Sequence, residues 1–283
     1  MIVRKVQKSL HGVPTTEGAG VHLKRAFGYA EAPQFDPFLM LDDFHSSNPD
    51  EYLAGFPWHP HRGIETITYL LEGVVEHGDS MGNSGVIAAG DVQWMTAGSG
   101  IIHQEMPRES PTGTIWGFQF WANLPAAQKM IPPRYQEVKA ATIPELLLAG
   151  GVTVKIIAGT LGGVRGPVTD LAIEPEMLDI SLPPDTVYEH PLPRGRTAFA
   201  YLLSGEAGFD DTGEISRRET VLLFDHGGDL VRVRTKGVPV RFLFVAGDPL
   251  GEPVAWGGPI VMNTREELRV AFDEYEKGTF IKS

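Results

Sequence analysis

The sequence contains no cysteine among its 283 residues. This absence excludes a disulfide framework, a thiolate nucleophile and thiolate ligands for a metal ion. It also fits a reducing compartment, where disulfides are rare. The first residues, MIVRKVQKSLHG, lack the apolar run of a secretory signal, and no stretch approaches the roughly 20 apolar residues of a membrane span. The sequence therefore predicts a cytoplasmic protein.

Positive charge is scarce as well, because 24 Lys and Arg residues face 36 Asp and Glu residues for a formal net charge of −12. The chain thus lacks the basic field that collects nucleic acid or anionic lipid. Any role in DNA biology would have to run through a protein partner. Glycine (33) and proline (22), in contrast, are abundant and predict many turns, which favour short strands over long helices.

Short strand-like segments separated by turn residues run through both halves of the chain. In the first half they are 66–71, 85–88 and 115–121, and in the second half 152–158, 197–203, 221–224, 230–233 and 240–245. Strands of this length with frequent turn signals are typical of an all-β sandwich or barrel.

The two halves resemble one another. YLLEG at Tyr69 matches YLLSG at Tyr201, and VQWMTAGSGIIHQE from Val92 can be laid without gaps on VLLFDHGGDLVRVR from Val221. This self-similarity indicates duplication of one barrel unit. A polar, proline-bearing stretch at 124–133 marks the junction, so we predict domains at 1–134 and 135–283.

A helix is predicted near the end of the chain. Thr264 and Glu267 have the spacing of a capping box, and Gly278 supplies a stop signal. The apolar residues of the segment share one face of that helix, which we expect to dock on a barrel.

Two pairs of side chains have the spacing of metal ligands. His59 and His61 flank one proline, and His103 and Glu105 flank one glutamine. Residues at i and i+2 in a strand point to the same face, so each pair can aim two ligands into one barrel. Such a donor set suits iron, our first choice, with manganese, nickel, copper and zinc as alternatives. Glu65, four residues after His61, competes with Glu105 for the carboxylate position.

The same repeat predicts that the second barrel is free of metal. The alignments place Pro191, Pro193, Arg232 and Arg234 at the four ligand positions. Proline offers no donor atom, and a protonated guanidinium repels a cation.

Other conspicuous residues have plainer interpretations. His45 and His77 are expected on the surface or in loops, and His190 and His226 have no partner at ligand spacing. Trp94 and Met95 are expected in a packed core.

Three stretches closely resemble the pirin family of the cupin superfamily, and a fourth looks similar. They are Asp36–Phe44 (DPFLMLDDF), Gly55–Thr66 (GFPWHPHRGIET) and Gly90–Pro107 (GDVQWMTAGSGIIHQEMP), followed by KMIPPRYQE at Lys129. The resemblance implies two cupin barrels of the jelly-roll type in tandem, the first carrying iron and the second followed by the terminal helix. It also implies that Glu105, rather than Glu65, is the fourth ligand beside His59, His61 and His103.

For function, the resemblance implies two alternatives. The first is a metal-dependent dioxygenase that opens a flavonol such as quercetin with O2, with Glu105 as the base that accepts a substrate hydroxyl proton. The second is a redox-sensing regulator that binds a protein partner. Neither alternative involves direct binding to nucleic acid or to a membrane.

Overall fold

A computed structural model describes residues 1–110 and 112–282, which fold mainly into antiparallel β-strands. In chain order the strands are β1 (Val6–His11), β2 (Val13–Glu17), β3 (Val21–Phe27), β4 (Phe38–Ser46), β5 (Phe56–His61), β6 (Ile64–Glu72), β7 (Val74–Asp79), β8 (Ser84–Ala88), β9 (Val92–Thr96), β10 (Ile101–Arg108), β11 (Ile115–Asn123), β12 (Arg134–Val138), β13 (Glu145–Leu147), β14 (Thr153–Ala158), β15 (Thr160–Leu161), β16 (Val164–Arg165), β17 (Glu176–Leu182), β18 (Val187–Pro191), β19 (Thr197–Gly208), β20 (Ile215–Arg217), β21 (Thr220–Phe224), β22 (Leu230–Arg234), β23 (Val240–Gly247), β24 (Ala255–Gly257) and β25 (Ile260–Met262). The α-helices are α1 (Ala32–Phe35) and α2 (Arg265–Glu276), and short 3-10 turns cover Pro49–Glu51, Ala126–Gln128, Ala140–Thr142 and Ala149–Gly151. The all-β class with a terminal helix, predicted from the sequence, is confirmed.

The contacts divide the chain into two compact units. The first unit comprises residues 13–32, 38–110, 112–140 and 250–282, and the second comprises 1–12, 33–37 and 141–249. Residues 1–12 thus belong to the second unit and residues 250–282 to the first, unlike in the predicted division into 1–134 and 135–283. The predicted division concerns the two copies of the sequence repeat, and it stays a prediction. The first strand, β1, pairs with β21 of the second unit, and helix α2 belongs to the first.

In the first unit, one antiparallel sheet has the order β12-β9-β6-β11-β4-β3-β2 and the other β5-β10-β7-β8. The central strand β6 begins IETITYL, and residues 64–70 are all buried, as expected for a strand rich in β-branched and aromatic residues that is covered on both faces. Leu70, Val75 and Ile87 belong to its apolar core. The sheets thereby hold β5 and β10, the strands with the predicted ligands, next to each other.

The second unit is built on a sheet of order β1-β21-β19-β23-β17-β14-β13, to which β18, β20 and β22 are joined. Its core is almost entirely apolar and includes Ile156, Leu178 and Phe244. Side chains alternate along β22, where Val231 and Val233 are buried whereas the intervening residue is not.

The C-terminal segment folds onto the first unit through strand β25 and helix α2. Thr264 and Glu267 form the predicted capping box, and Gly278 follows the helix with a positive φ of 69°. Buried Ala271 packs with Ile260 from β25, so the apolar face is docked as expected. None of the described helices is long and apolar enough to span a membrane.

Lys129 fastens three separate pieces of the first unit. Its buried Nζ donates to the carbonyl oxygen of Gly63 at 2.8 Å, to Oδ1 of Asn123 at 2.5 Å and to the carbonyl oxygen of Val261 at 2.9 Å. Gly63 has a φ of 77°, and a side chain there would meet the Val261 carbonyl oxygen. Only glycine suits that backbone conformation and close approach. The turn after His61 is thus tied to strand β25.

We expect Lys129→Met to lower the free energy of unfolding by about 1–3 kcal/mol, because it leaves buried oxygen acceptors without donors. Urea denaturation measures the change. Lys139→Met is the matched control, since the Lys139 side chain is 49% exposed. Equal, small costs for both variants would contradict the role assigned to Lys129.

The same lysine predicts a pH dependence. Burial lowers the pKa of Lys129 to about 7, whereas an unfolded lysine titrates near 10.4. Between these values the unfolded chain binds the proton that the folded chain has released, so folding is favoured as the pH rises. We expect the stability of the wild type relative to Lys129→Met to increase from about pH 7 to about pH 9 in urea titrations. A constant or shrinking difference would argue against the lowered pKa.

Candidate metal centre

Three imidazoles converge where strands β5 and β10 pair. His103 lies directly opposite His59 in the antiparallel register, and His61 follows on the same strand as His59. Nε2 of His59 lies 3.0 Å from Nε2 of His61 and 2.9 Å from Nε2 of His103. Among the described residues, these three are the group of side chains whose donor atoms lie close enough to hold one metal ion.

The hydrogen bonds of the outer ring nitrogens fix the protons on two of these imidazoles. Nδ1 of His59 donates to the Pro57 carbonyl oxygen at 2.8 Å, and Nδ1 of His61 donates to the Pro259 carbonyl oxygen at 3.0 Å. A carbonyl only accepts, so each neutral ring carries its proton on Nδ1 and a lone pair on Nε2. The contact between the two Nε2 atoms is therefore not a hydrogen bond. It is the arrangement of two ligands aimed at a cation.

Burial keeps the rings neutral. It lowers the pKa of His61 and of His103 well below the usual value, and the neighbouring imidazoles lower both further. Burial also lowers the pKa of half-buried His59. Neutral imidazole is the form that binds metal, so the site is ready at neutral pH without first losing protons.

The spacing of the nitrogens suits a transition-metal ion. Two nitrogens that bind one ion at about 2.1 Å and at right angles are about 3.0 Å apart, which matches the observed 2.9–3.0 Å. Nδ1 of His103 is buried without a hydrogen-bond partner among the described residues. The three residues thus fit a bound divalent ion.

Glu105, the predicted fourth ligand, is not part of the cluster of close donor atoms formed by the three imidazoles. Its carboxylate lines the same cavity as His59 and His61, and its Oε1 accepts a hydrogen bond from Oγ1 of Thr68 at 2.6 Å. Burial raises the pKa of Glu105 to about 7, against the effect of the Thr68 hydrogen bond. Its role as a ligand stays a prediction.

Glu65, the competing carboxylate, is engaged elsewhere. Its Oε2 accepts from Nε1 of Trp94 at 3.0 Å and its Oε1 accepts from Oγ1 of Thr96 at 2.8 Å. Because strand residues alternate, Glu65 and Thr68 face opposite sides of β6. The alternative left open by residue spacing is therefore disfavoured, and Glu105 is the better candidate.

A cavity of about 640 Å³ opens over His59 and His61. Trp121 contacts the His61 ring with centroids 5.1 Å apart, and Trp256 continues the aromatic wall at 5.8 Å from Trp121. Gln119 adds a polar group, and Arg25 is held by Asp42 through hydrogen bonds of 2.7 and 2.8 Å. The lining is thus mostly aromatic and apolar around a few polar groups. The lining residues other than His59, His61 and Glu105 were missed from the sequence, because no local pattern distinguishes them from core residues.

The other histidines of the first unit have different surroundings from those expected. His77 was expected on the surface, which is wrong: it is buried on β7, with Nδ1 2.7 Å from Nε2 of Gln93 and its ring stacked on Tyr135. His77 is buried because it packs between the two sheets of the first unit. The sequence suggested a loop because a glycine-rich segment follows His77 directly. His45 is exposed as expected and stacks on Trp116. Trp94 and Met95 are buried in the core as predicted.

In the second unit, the side chains at the aligned ligand positions face outward. Pro191 and Pro193 are exposed, and Arg232 pairs with Glu189 and Asp211. Arg234 is also exposed. These four side chains therefore do not face the interior of the second unit, where neighbouring residues of the strands are buried instead. That the second barrel is free of metal stays a prediction.

The inward residues of β18 are a small polar group in an apolar core. Nδ1 of His190 lies 3.0 Å from the Tyr188 hydroxyl, and its Nε2 lies 3.0 Å from Oε2 of Glu176. His190 thus has partners that residue spacing did not reveal. His226 lies at the surface, where Nδ1 donates to the Gly195 carbonyl oxygen.

Two antiparallel barrels, one bearing three convergent imidazoles, define a two-domain cupin protein. The family models agree: Pirin matches residues 20–122 and the Pirin C-terminal cupin domain matches residues 177–281. The chain belongs to the pirin family. It is 47% identical to a pirin-like protein of Caulobacter vibrioides over 99% of this chain and 100% of that protein. It is 41% identical to pirin of Homo sapiens over 96% of this chain and 92% of that protein.

A solved structure agrees over almost the whole length. The crystal structure of quercetin 2,3-dioxygenase from Acinetobacter baumannii superimposes with a TM-score of 0.90 at 31% identity, covering 98% of each chain. The cupin fold expected from the sequence is therefore confirmed.

We expect His103→Ala to lose most of its metal, because two imidazoles seldom retain an ion that a full ligand set holds. Plasma mass spectrometry of freshly purified protein gives the metal content per chain. His45→Ala, which changes an exposed histidine of β4, should keep the wild-type content. Retention of metal by His103→Ala would contradict the assignment of the three imidazoles.

The two glutamates give a second prediction. Glu105→Gln should lower metal content because it removes the charged oxygen donor, whereas Glu65→Gln should leave it nearly intact. The opposite pattern, with metal lost only from Glu65→Gln, would show that the carboxylate has been assigned to the wrong residue.

Proposed function

We propose that this protein is a metal-dependent dioxygenase that acts with O2 on a flat aromatic substrate bearing a chelating hydroxyl, of which quercetin is the model compound. The single observation that carries the proposal is the convergence of the Nε2 atoms of His59, His61 and His103, of which His59 and His61 line an aromatic cavity of about 640 Å³. That volume lies within the usual range for small-molecule sites. The name of the similar Acinetobacter baumannii structure supports the same reaction class.

We further propose that His59, His61, His103 and Glu105 hold one divalent ion, with iron as the first choice. When bound, such an ion acts as a Lewis acid and lowers the pKa of a coordinated hydroxyl. Imidazole and carboxylate donors suit iron, and the other borderline metals remain alternatives for the analysis of purified protein.

The residues of the cavity would orient the substrate. Trp121 and Trp256 present aromatic surfaces on which a flat ring system can stack. Arg25 forms an ion pair with Asp42 inside the protein. The Asp42 carboxylate therefore neutralises the guanidinium charge, which does not attract an anionic substrate. Gln119 provides a neutral hydrogen-bonding group at the same wall.

Glu105 is proposed as the catalytic base. It lines the cavity, and it would accept the proton of the substrate hydroxyl on a carboxylate oxygen, for which it would have to loosen from the metal. General base assistance of this kind contributes about 10²–10⁴ in rate.

Aerobic consumption of quercetin by the iron-loaded protein tests the proposal, followed by absorbance and by oxygen uptake. We expect turnover that exceeds that of the same concentration of free metal and that disappears in His59→Ala. Absence of turnover above free metal with iron, manganese, nickel, copper and zinc would overturn the proposed activity.

The aromatic wall gives a separate prediction about substrate binding. Trp256→Leu should raise KM for quercetin by about twofold to tenfold, since an aromatic contact contributes about 0.5–1.5 kcal/mol. Trp58→Leu is the control, because Trp58 adjoins His59 in sequence but is 53% exposed and does not line the cavity. Similar KM values for wild type and Trp256→Leu would show that the substrate does not stack there.

The redox-sensing regulator with a protein partner stays a prediction of the sequence. A pull-down with the Fe(II) and Fe(III) forms tests it, and partner recovery that is independent of the iron oxidation state would count against it.

A further inference from the structure

Thr68 lies in the middle of central strand β6 and connects two polar residues of the cavity. Its side-chain Oγ1 is 2.6 Å from Oε1 of Glu105 and 2.9 Å from Oε1 of Gln119. Thr68 is buried, with 3% of its surface exposed, and both partners line the cavity beside His59. A hydroxyl so fully enclosed contributes mainly through the hydrogen bonds that it makes.

The fold places this hydroxyl where the two sheets of the first unit meet. Thr68 is opposite Gln119 in the pairing of β6 with β11, while Glu105 comes from β10 of the other sheet. The hydrogen bond from Thr68 to Glu105 therefore crosses from one sheet to the other. It fixes a carboxylate whose own strand is irregular, because the register of β10 against β5 shifts between His103 and Glu105.

The hydroxyl carries one hydrogen, so it cannot donate to both oxygens at once. When Glu105 is a carboxylate, Thr68 donates to Glu105 Oε1. For the Gln119 side-chain amide to donate its NH2 group to Thr68 Oγ1, its oxygen and nitrogen would then have to exchange places. The result would be a directed chain of hydrogen bonds from Gln119 through Thr68 to Glu105, in which each donor has one acceptor.

We propose that Thr68, supported by Gln119, is a positioning residue that fixes the orientation of the Glu105 carboxylate for metal binding. By holding Oε1, it limits the rotation of the carboxylate group. This inference rests on the proposed function, since it requires Glu105 to be a ligand. Hydrogen bonds from outer residues to metal ligands commonly set ligand orientation, and their loss lowers metal affinity about 10–100-fold.

The chain offers a close control for the removal of a buried threonine hydroxyl. Thr96 on the neighbouring strand β9 is also 3% exposed, and it donates to Oε1 of Glu65 at 2.8 Å. Thr96→Val and Thr68→Val therefore remove the same group from equivalent hydrogen bonds to two buried carboxylates. Only Glu105, the partner of Thr68, is the candidate metal ligand.

The test uses the full-length protein stripped of metal and titrated with Co(II) and with Fe(II) against a competing chelator. The Co(II) visible spectrum serves as a report on the ligand arrangement. Thr68→Val should weaken metal binding about 10–100-fold and change the Co(II) spectrum. Thr68→Ser, which keeps the hydroxyl, should restore both properties to nearly wild-type values. Gln119→Leu should cause a smaller loss in the same direction.

Thr96→Val should bind Co(II) and Fe(II) as the wild type does, even if its melting temperature falls as much as that of Thr68→Val. The inference is overturned if Thr68→Val keeps wild-type affinity and spectrum while Glu105→Gln loses affinity, because Glu105 would then coordinate without help from Thr68. If Glu105→Gln itself keeps wild-type affinity, the proposed ligand set is wrong and the positioning role falls with it. If Thr68→Val fails to fold, Gln119→Leu decides: weakened metal binding supports the role, and wild-type binding contradicts it.

Discussion

The first unit depends on one electrostatic constraint: nitrogen lone pairs face each other in a buried place. The Nδ1 protons of His59 and His61 are committed to backbone carbonyl oxygens, so the two Nε2 atoms, 3.0 Å apart, both lack a proton. Burial lowers the pKa of the rings and prevents them from relieving the contact by becoming charged. A bound cation satisfies these lone pairs, and the surrounding strands hold them in place to receive it.

Distant parts of the chain contribute to that constraint. The carbonyl that orients His61 belongs to Pro259, which lies 198 residues later in the sequence. Arg62, the next residue after His61, donates to Glu274 and to the carbonyl oxygen of Phe280, and Lys129 binds the carbonyl oxygen of Val261. The C-terminal segment therefore serves as an outer support for the ligands, as well as a wall of the cavity through Trp256.

Much of this organisation could be predicted from the sequence, and the exceptions have physical reasons. The strand class, the capping box at Thr264 and the convergence of the histidines follow from local patterns and from the two-residue period of a strand. The choice between Glu65 and Glu105 could not be made from spacing, since it depends on which face of β6 and β10 each side chain occupies. The outward orientation of Arg232 could not be predicted, because an ungapped alignment does not register which side of a strand faces inward. Contacts such as Thr68 with Glu105 connect separate sheets and leave no local signal.

The central claim is that a single ion is bound by the three imidazoles together with Glu105. Anomalous diffraction at the metal absorption edge, from crystals of freshly purified protein, tests it most directly. The account predicts one strong peak, within about 2.0–2.3 Å of the three Nε2 atoms and of one Glu105 oxygen. An anomalous peak next to Glu65 or in the second unit would contradict the account. So would the lack of a peak at the imidazoles in protein that is shown to contain metal.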